Sequence, residues 1–357
     1  MALGLVIDPG STSTKFGVFE DEEPILAKTI QHSQEEFASF NRIIDQCPFR
    51  SEIVLRILHE SKIDLTKIQG VIGIGGLLKA GNSGVYEVNG DMIDDLSIGR
   101  YGEHAANLGA LISRNIAQMI GVKAYIADPI TTDEMQEVAR LSGLPEIRRE
   151  GRAHTLNQKS IAARASKKLG KSYEESRLIV AHLGGGISIV AHLNGKMIDT
   201  NSARGEGPFC VDRTGGLNSW ELAKLCFSGK FTKEQMLSRI NGDGGIVAYL
   251  GTRDFREVIR LKVEGDQKAG IVFDALAYQV AKEIGAMAAV LKGKVDAVVI
   301  TGGMANSEML VEAILDRVSF IGPSLVYPGE NELEALAAYL SEVLSGKRSV
   351  EQYSREV

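Results

Sequence analysis

A pattern of strands and small-residue turns that occurs twice constrains the fold of this chain more than any other feature. In each half, an apolar run rich in β-branched residues leads into a turn of glycine and polar residues, and two more strand-like segments follow. The segments are residues 3–7, 15–19 and 25–30 in the first half and residues 178–181, 187–193 and 196–199 in the second. The repetition predicts two related α/β units.

Helical segments with apolar residues at helical spacing alternate with buried strands after each strand set. These segments are the helices at 103–120, 269–291 and 332–344 and the strands at 124–127 and 297–301. We expect a first domain at residues 1–130, completed by residues 331–357, and a second at residues 131–330. The polar tail at residues 347–357 is expected to be loosely held.

Composition excludes several classes of partner. The chain has 357 residues, with 40 Lys plus Arg against 46 Asp plus Glu, so its formal net charge is -6. A chain with this charge has no basic field to attract nucleic acid or anionic lipid, and neither is predicted as a partner. It starts without a cationic leader and has no apolar run long enough to span a bilayer, so we predict a cytoplasmic protein.

Three glycine turns directly follow predicted buried strands, at residues 10–13, 184–188 and 301–304. Glycine lets the backbone approach an anion closely, and backbone N–H groups with hydroxyls supply donors. Neither GxxxxGK[ST] nor GxGxxG occurs, so neither a P-loop nor a dinucleotide fingerprint is indicated. One such turn is usually ordinary turn chemistry, but three in a duplicated frame predict phosphate binding.

Asp8 stands just before the first of these turns. Mg²⁺ is commonly held through one or two carboxylates and several waters, so this position suits a metal beside phosphate. The alternative for Asp8 is a carboxylate that starts the turn through its own backbone hydrogen bonds. The adjacent phosphate-type turn favours the metal.

Taken together, these segments resemble the acetate and butyrate kinases, within the superfamily of sugar kinases, actin and the heat-shock ATPases. The segments that carry the resemblance are residues 8–15, 75–78, 84–86, 102–109, 181–188, 205–209 and 301–303. The resemblance implies two duplicated actin-like (ribonuclease H-like) ATPase domains with a nucleotide cleft between them. It also implies Mg²⁺, ATP or ADP as co-substrate and a homo-oligomer.

Site residues carry over from this resemblance one position at a time. Catalytic positions fall on Arg213, His154, Asp128 and His104. Positions that bind nucleotide and phosphate fall on Ser11, Ser13, Lys15, His182, Gly184, Gly185, Gly186, Gly302 and Gly303. Metal-associated positions fall on Asp8, where acetate kinases have an asparagine, and on Glu332, with Glu330 and Glu334 left open because that stretch can slide by two residues.

One position departs from the family pattern. Where the acetate kinases have a substrate-side arginine before the glycine pair Gly75 and Gly76, this chain has Ile74, which cannot neutralise a carboxylate. Either Arg213 handles that charge alone or another arginine substitutes. Our candidate is Arg100, which would lie one turn before His104 if the helix extends back that far.

The resemblance implies reversible, ATP-dependent phosphorylation of a short-chain fatty acid such as butyrate or isobutyrate, giving an acyl phosphate and ADP. A carboxylate is already an anionic nucleophile, so the protein must mainly position and neutralise charge, which suits an arginine with histidines. Two alternatives stay open. A sugar or polyol kinase would use an aspartate such as Asp128 as base, and a nucleotide-gated binding protein would not turn over.

Overall fold

The computed structural model describes residues 2–355. The strands of this range, numbered in chain order, are β1 (Leu3–Pro9), β2 (Ser13–Glu20), β3 (Glu23–Gln31), β4 (Ile68–Ile74), β5 (Val85–Glu87), β6 (Lys123–Ala127), β7 (Arg177–Leu183), β8 (Ile187–Leu193), β9 (Lys196–Thr200), β10 (Ala297–Gly302), β11 (Ser324–Pro328) and β12 (Val350–Gln352).

Helices connect these strands. They are α1 (Gln34–Phe37), α2 (Cys47–Glu60), α3 (Gly90–Ile98), α4 (Asn107–Ile120), α5 (Glu137–Arg140), α6 (Thr155–Lys168), α7 (Ser219–Cys226), α8 (Lys233–Ile240), α9 (Gly245–Leu250), α10 (Phe255–Val263), α11 (Gln267–Val290), α12 (Glu308–Val318) and α13 (Glu332–Leu344). No helix in residues 2–355 is both long enough and apolar enough to cross a membrane.

The chain forms two compact units. The first comprises Met1–Asp133 with Asn331–Val357, and the second comprises Glu134–Glu330. The described part of the first unit has a sheet in the order β12-β5-β6-β4-β1-β2-β3. β1 pairs antiparallel with β2 and parallel with β4, and β4 pairs parallel with β6.

The second unit repeats this topology in a sheet ordered β11-β10-β7-β8-β9. β7 pairs antiparallel with β8 and parallel with β10, as β1 does with β2 and β4. β10 pairs parallel with β11, as β4 does with β6. The predicted α/β duplication is therefore confirmed, and the β1–β2 turn (residues 10–12) and the β7–β8 turn (residues 184–186) occupy equivalent positions.

Each sheet is covered by apolar helix faces. In the first unit, α2 and α4 bury Val54, Leu58 and Ile112 against Leu5 and Ile7 of β1. In the second, the long helix α11 packs against β7 and β8 and begins after Asp266, whose side chain accepts a hydrogen bond from Ala269 N at 2.8 Å. These cores fix the strands from which both turns extend.

The helix predicted over residues 103–120 begins only at Asn107. The residues before it make hydrogen bonds of the tighter i→i+3 type, with Asn107 N donating to His104 O at 2.9 Å and Leu108 N to Ala105 O at 3.0 Å. The Asn107 side chain then holds the preceding loop, because its Nδ2 donates to Gly102 O at 3.0 Å. The prediction of helix at residues 103–106 is wrong, and His104 lies in a loop.

The C-terminal tail is ordered where the structure describes it, so the prediction of a loose tail is wrong for residues 350–355. β12 pairs parallel with β5. Tyr353 is buried and its hydroxyl donates to Asp95 Oδ2 at 2.8 Å, while Arg355 lies 3.0 Å from Asp94 and from Asp95. Polar residues order this tail through ion pairs to α3; residues 356 and 357 lie outside the described range.

Candidate active site

A buried arginine supports the β1–β2 turn from beneath. Arg50 on α2 is 1% exposed. Its Nη1 donates to Gly10 O at 3.0 Å and to Ser13 O at 2.6 Å, and its Nη2 lies 3.4 Å from Ser11 O. Because the N–H of a trans peptide points opposite to its C=O, the amides of Ser11 and Thr12 point away from Arg50. The turn therefore presents donors on its outer side.

Within the described residues, Arg50 has no carboxylate partner. Its other contacts are also neutral, at 2.8 Å to Gln46 Oε1 and 3.0 Å to Thr14 Oγ1. Burial lowers the pKa of Arg50 to about 10, so the guanidinium remains charged at neutral pH. A positive charge without a counter-ion thus lies directly under the turn where Ser11 and Ser13 were predicted to bind phosphate.

Lys15 lies between the two carboxylates predicted to be near a metal. Asp8 and Lys15 are opposite each other on β1 and β2, and Lys15 Nζ lies 3.6 Å from Asp8 Oδ2. Lys15 Nζ also lies 3.2 Å from Glu332 Oε2, at the start of α13. Glu332, one of the three candidate glutamates, therefore contacts Lys15.

This pair of carboxylates suits Mg²⁺ that keeps most of its waters. The described residues contain no group of three or more His, Cys, Asp or Glu side chains able to enclose an ion. Asp8 is 6% exposed and has Lys15 as its nearby cation, so it can offer little more than one carboxylate edge to an ion. Asp8 and Glu332 would therefore hold a hydrated Mg²⁺ and not a fully protein-coordinated one.

His104 and Asp128, both predicted to be catalytic, lie in loops of the first unit. His104 is exposed and its Nδ1 accepts a hydrogen bond from Ala106 N at 3.2 Å. Asp128 is buried with φ +43°, and its Oδ1 accepts from Gly84 N at 2.9 Å. The Asp128 carboxylate thus holds the backbone of Gly84, directly before β5.

Arg100 does not take up the position that we expected for a replacement of the absent arginine. Arg100 follows Gly99, the residue with a left-handed backbone that ends α3. It therefore does not lie on a helix together with His104, as the hypothesis required. Its Nε donates to Asp95 Oδ1 at 2.7 Å, in the same cluster that binds Tyr353 and Arg355. Arg100 therefore anchors the tail, and the premise of the Arg100 hypothesis is wrong.

In the second unit, two histidines stack beside the β7–β8 turn. The rings of His154 and His182 lie 4.0 Å apart at an angle of 18°. A Cβ at Gly184 would lie 3.0 Å from His182 Nε2, and one at Gly186 would lie 3.3 Å from His154 Cε1. Glycine thus lets the backbone lie close against both rings, whereas a Cβ at Gly185 would face open space.

Both histidines are neutral at physiological pH. Burial lowers the pKa of His182 to about 4. Burial also lowers the pKa of His154 well below its usual value, and the nearby His182 and Arg213 lower it further. These imidazoles therefore act through hydrogen bonds, and Arg213 is the cation next to them.

Arg213 lies against Gly186, since a Cβ at Gly186 would lie 2.8 Å from Arg213 Nη1. Its Nη1 donates to Ala203 O at 2.7 Å. Its Nε is buried without a hydrogen-bond partner in the described part of the chain, although Asp212 Oδ1 is 3.7 Å away. The guanidinium therefore keeps donors for a ligand, which suits an anion.

The third glycine turn lies beside the second. Gly302 has φ +92°, and a Cβ there would lie 2.4 Å from Leu183 O, just before Gly184. Its backbone pairs with Gly329, with Gly302 N donating to Gly329 O at 3.0 Å. A Cβ at Gly303 would face open space. Gly302 is therefore needed for packing, and Gly303 is accessible to a ligand.

Sequence reasoning missed the side chains that hold these groups. They are Arg50, Gln46, Asn107, Asn157, Gln158 and His192, together with Ser188, which was predicted only as part of the phosphate-binding turn at residues 184–188. Asn157 and Gln158 follow His154 in the sequence, and amides so close to a predicted site histidine were a usable signal. Arg50 gave none, because an arginine on a helix is normally exposed.

The chain is similar to proteins of one family along its length. The model of the Acetokinase family matches residues 140–339. Butyrate kinase 1 of Clostridium acetobutylicum is 47% identical over 350 residues, covering 98% of this chain and 99% of that protein. The chain therefore belongs to the acetokinase family.

Solved structures agree with this at the level of the fold. The crystal structure of Porphyromonas gingivalis acetate kinase matches with a TM-score of 0.79 at 20% identity, covering 96% of this chain and 100% of that one. A propionate kinase from Francisella tularensis matches with a TM-score of 0.73 at 21% identity, covering 95% and 99%. The predicted family, the actin-like α/β fold class and the class of enzyme, a carboxylate kinase that uses ATP or ADP, are confirmed.

Proposed function

We propose that this protein catalyses the reversible phosphorylation of a four- or five-carbon fatty acid, such as butyrate or isobutyrate, by ATP. The observation that carries the proposal is Arg213 beside two stacked neutral histidines at a glycine turn. One guanidinium with unused donors fits a transferring phosphoryl group, while the neutral imidazoles can bind its oxygens without adding charge.

In the proposed reaction, a carboxylate oxygen of the fatty acid attacks the γ-phosphorus as the bond from that phosphorus to the β,γ-bridging oxygen breaks. ADP leaves with the electron pair of that bond, and no proton has to be removed from the acceptor. Arg213 stabilises the charge on the transferring group, and His154 donates a hydrogen bond to one of its oxygens. Gly184, Gly185 and Gly186 bring backbone close to the phosphates, with Gly302 and Gly303 on the adenosine side.

Asp8, Lys15 and Glu332 serve the triphosphate. When bound, Mg²⁺ would neutralise charge on the β- and γ-phosphates. Asp8 and Glu332, which both contact Lys15, would hold the hydrated ion, and Lys15 would bind a phosphate together with the outward amides of Ser11 and Thr12. Glu332→Gln is expected to raise the Mg²⁺ concentration for half-maximal activity by roughly 10-fold. An unchanged Mg²⁺ dependence would remove Glu332 from this role.

Two features bear on the acid that is used. This chain has Ile74 where acetate kinases have a substrate-side arginine, so Arg213 has to offset the charge of the substrate carboxylate. Apolar contact with the acyl chain then contributes a larger share of substrate binding. Butyrate has two more methylenes than acetate, worth about 1.6 kcal/mol when buried, or roughly 15-fold in affinity. The similarity to a butyrate kinase supports the longer acids over acetate.

The test is an assay with MgATP and hydroxylamine, which traps acyl phosphates as hydroxamates, over acetate, propionate, butyrate, isobutyrate, isovalerate, glucose and glycerol. Hydroxamate that peaks with four- or five-carbon acids is the expected result. A peak with acetate would overturn the substrate preference. ADP release with glucose or glycerol and no hydroxamate would establish the sugar-kinase alternative. Nucleotide binding without turnover of any compound would establish the binding-protein alternative.

A further inference from the structure

A continuous series of hydrogen bonds runs through the interior of the second unit and ends at His154. Tyr173 Oη lies 2.7 Å from His192 Nδ1, and His192 Nε2 lies 3.1 Å from Gln158 Oε1. Gln158 Nε2 lies 3.1 Å from Ser188 Oγ, which lies 2.8 Å from His154 Nδ1. We call these five residues the imidazole relay. His192, Gln158 and Ser188 are fully buried.

The orientation of Gln158 fixes the direction of the first half of the relay. Its Nε2 also lies 3.0 Å from Ser188 O and 3.3 Å from Val180 O, which can only accept. The amide nitrogen must therefore be on this side, and Oε1 faces His192. Because Oε1 is an acceptor, His192 Nε2 carries the proton and His192 Nδ1 accepts from the Tyr173 hydroxyl.

The direction of the hydrogen bond between Ser188 and His154, in the second half of the relay, follows because a serine hydroxyl has only one hydrogen. Two groups that can only donate, Gln158 Nε2 and the backbone N of His154 at 3.4 Å, point to Ser188 Oγ. The hydroxyl hydrogen is then left for His154 Nδ1, which must be the acceptor. His154 therefore carries its proton on Nε2.

The stacked partner has the opposite tautomer. Asn157 Nδ2 donates to Glu330 O, which orients the amide so that Oδ1 faces His182 Nδ1 at 2.8 Å. His182 therefore carries its proton on Nδ1 and presents a lone pair on Nε2, next to Gly184. One imidazole of the stack is a donor at Nε2 and the other is an acceptor.

We propose that the imidazole relay holds His154 as the Nε2–H tautomer, so that His154 donates a hydrogen bond to the transferring phosphoryl group. Ser188, Gln158 and His192 are then positioning residues, because they act through His154. The tautomer follows from the hydrogen bonds alone, whereas its use on a phosphoryl oxygen rests on the proposed kinase function. The wrong tautomer would place a lone pair against an anionic oxygen, which is repulsive.

The first test is made on the free protein and needs no activity. Two-bond ¹H–¹⁵N correlation spectra of ¹⁵N-histidine-labelled protein at neutral pH distinguish the two tautomers, and His154→Gln assigns the signal. We expect His154 protonated on Nε2 and His182 on Nδ1. A His154 signal with the proton on Nδ1 would overturn the proposal whatever the protein catalyses.

The second test connects the tautomer to turnover. Ser188→Ala removes the donor to His154 Nδ1 and is expected to lower kcat roughly 10-fold with little change in KM for ATP, while Nδ1 protonation appears in the spectrum. Ser188→Thr restores the hydroxyl and should recover the tautomer and most of kcat. Ser166→Ala on α6, another buried serine of this unit, is the matched control. A lower kcat with an unchanged tautomer, or a changed tautomer with an unchanged kcat, would contradict the relay.

Discussion

The β1–β2 turn and the β7–β8 turn occupy equivalent positions in two sheets of the same topology, yet different chemistry supports them. Under the first turn lies a buried guanidinium, Arg50, which binds the turn's carbonyl groups. Beside the second turn lie two neutral imidazoles, with Arg213 against Gly186. The first turn thus has a permanent charge beneath its backbone, and the second has its charge where a ligand would bind.

This difference suits two tasks. A charge beneath the backbone orients N–H groups and favours binding of a phosphate that stays in place. A guanidinium with unused donors can remain hydrogen-bonded to a phosphoryl group while that group is transferred. We therefore expect the first turn to contribute mainly to binding and stability, and the second mainly to the rate of transfer.

The largest expected effect comes from Arg213. Arg213→Ala should lower kcat on the order of 10³-fold with a small change in nucleotide affinity, because an arginine on the transferring phosphoryl group acts mostly in the transition state. Arg213→Lys should recover only part of this, since an ammonium lacks the planar fork. Steady-state hydroxamate kinetics measure both variants.

Arg317→Ala, on the exposed side of α12, is the matched control for Arg213 and should leave kcat unchanged. If Arg213→Ala instead raised KM for ATP and kept kcat, the second turn would resemble the first in function. The proposed division of tasks between the two turns would then be wrong.

The next effect concerns Arg50. Arg50→Met removes the donor that Arg50 supplies to Gly10 O, Ser13 O and Gln46 Oε1, which should lower the free energy of unfolding by about 3 kcal/mol. The released turn should also bind MgATP roughly 10-fold more weakly, with a small change in kcat. Urea unfolding and nucleotide titration measure the two effects.

Arg56→Met, on the same helix but 65% exposed at its side chain, should change neither quantity. A variant at Arg50 that loses stability but binds MgATP normally would limit Arg50 to a structural role. The two turns would then still differ in the side chains that stabilise them, but Arg50 would have no role in binding the nucleotide.

The two turns also differ in how well the sequence predicted them. The strand segments along the chain and the glycine turns that follow them were predictable from local patterns, because apolar runs and small-residue turns are short-range signals. The family resemblance indicated His154, His182 and Arg213. Arg50 was not predicted, since its contacts with Gly10 and Ser13 span 40 and 37 residues and depend on the tertiary packing of α2.

The errors have a similar origin. The start of α4 depends on i→i+3 backbone bonds before it and on two bonds of the Asn107 side chain, neither of which is visible in hydrophobic periodicity. The tail was predicted loose because it is polar, but its order comes from Arg355 and Tyr353 binding the buried Asp95, 258 residues from Tyr353. A polar segment is therefore exposed only where the folded protein offers its side chains no hydrogen-bond or ion-pair partner.

The smallest expected effect is the change in stability with pH, and it too is expected to differ between the surroundings of the two turns. Burial lowers the pKa of His182 to about 4 and that of His192 to about 3, and it also lowers the pKa of His154. Near the first turn, burial and Arg50 lower the pKa of His32. In each case the unfolded chain binds more protons, so stability is full above pH 6.5 and falls as the pH falls toward the folded pKa.

His182 and His192, with folded pKa values of about 4 and about 3, each contribute a slope of about 1.4 kcal/mol per pH unit below pH 6.5. The midpoint urea concentration should therefore fall between pH 6.5 and 5, before most carboxylates are protonated, and the second unit should account for most of the fall. His192→Gln should flatten this pH dependence, whatever it does to the midpoint at pH 7, whereas His59→Gln at an exposed position should not. If the slope were the same in wild type and His192→Gln, the interior of the second unit would admit a charged imidazole, and the neutral support inferred for the β7–β8 turn would have to be given up.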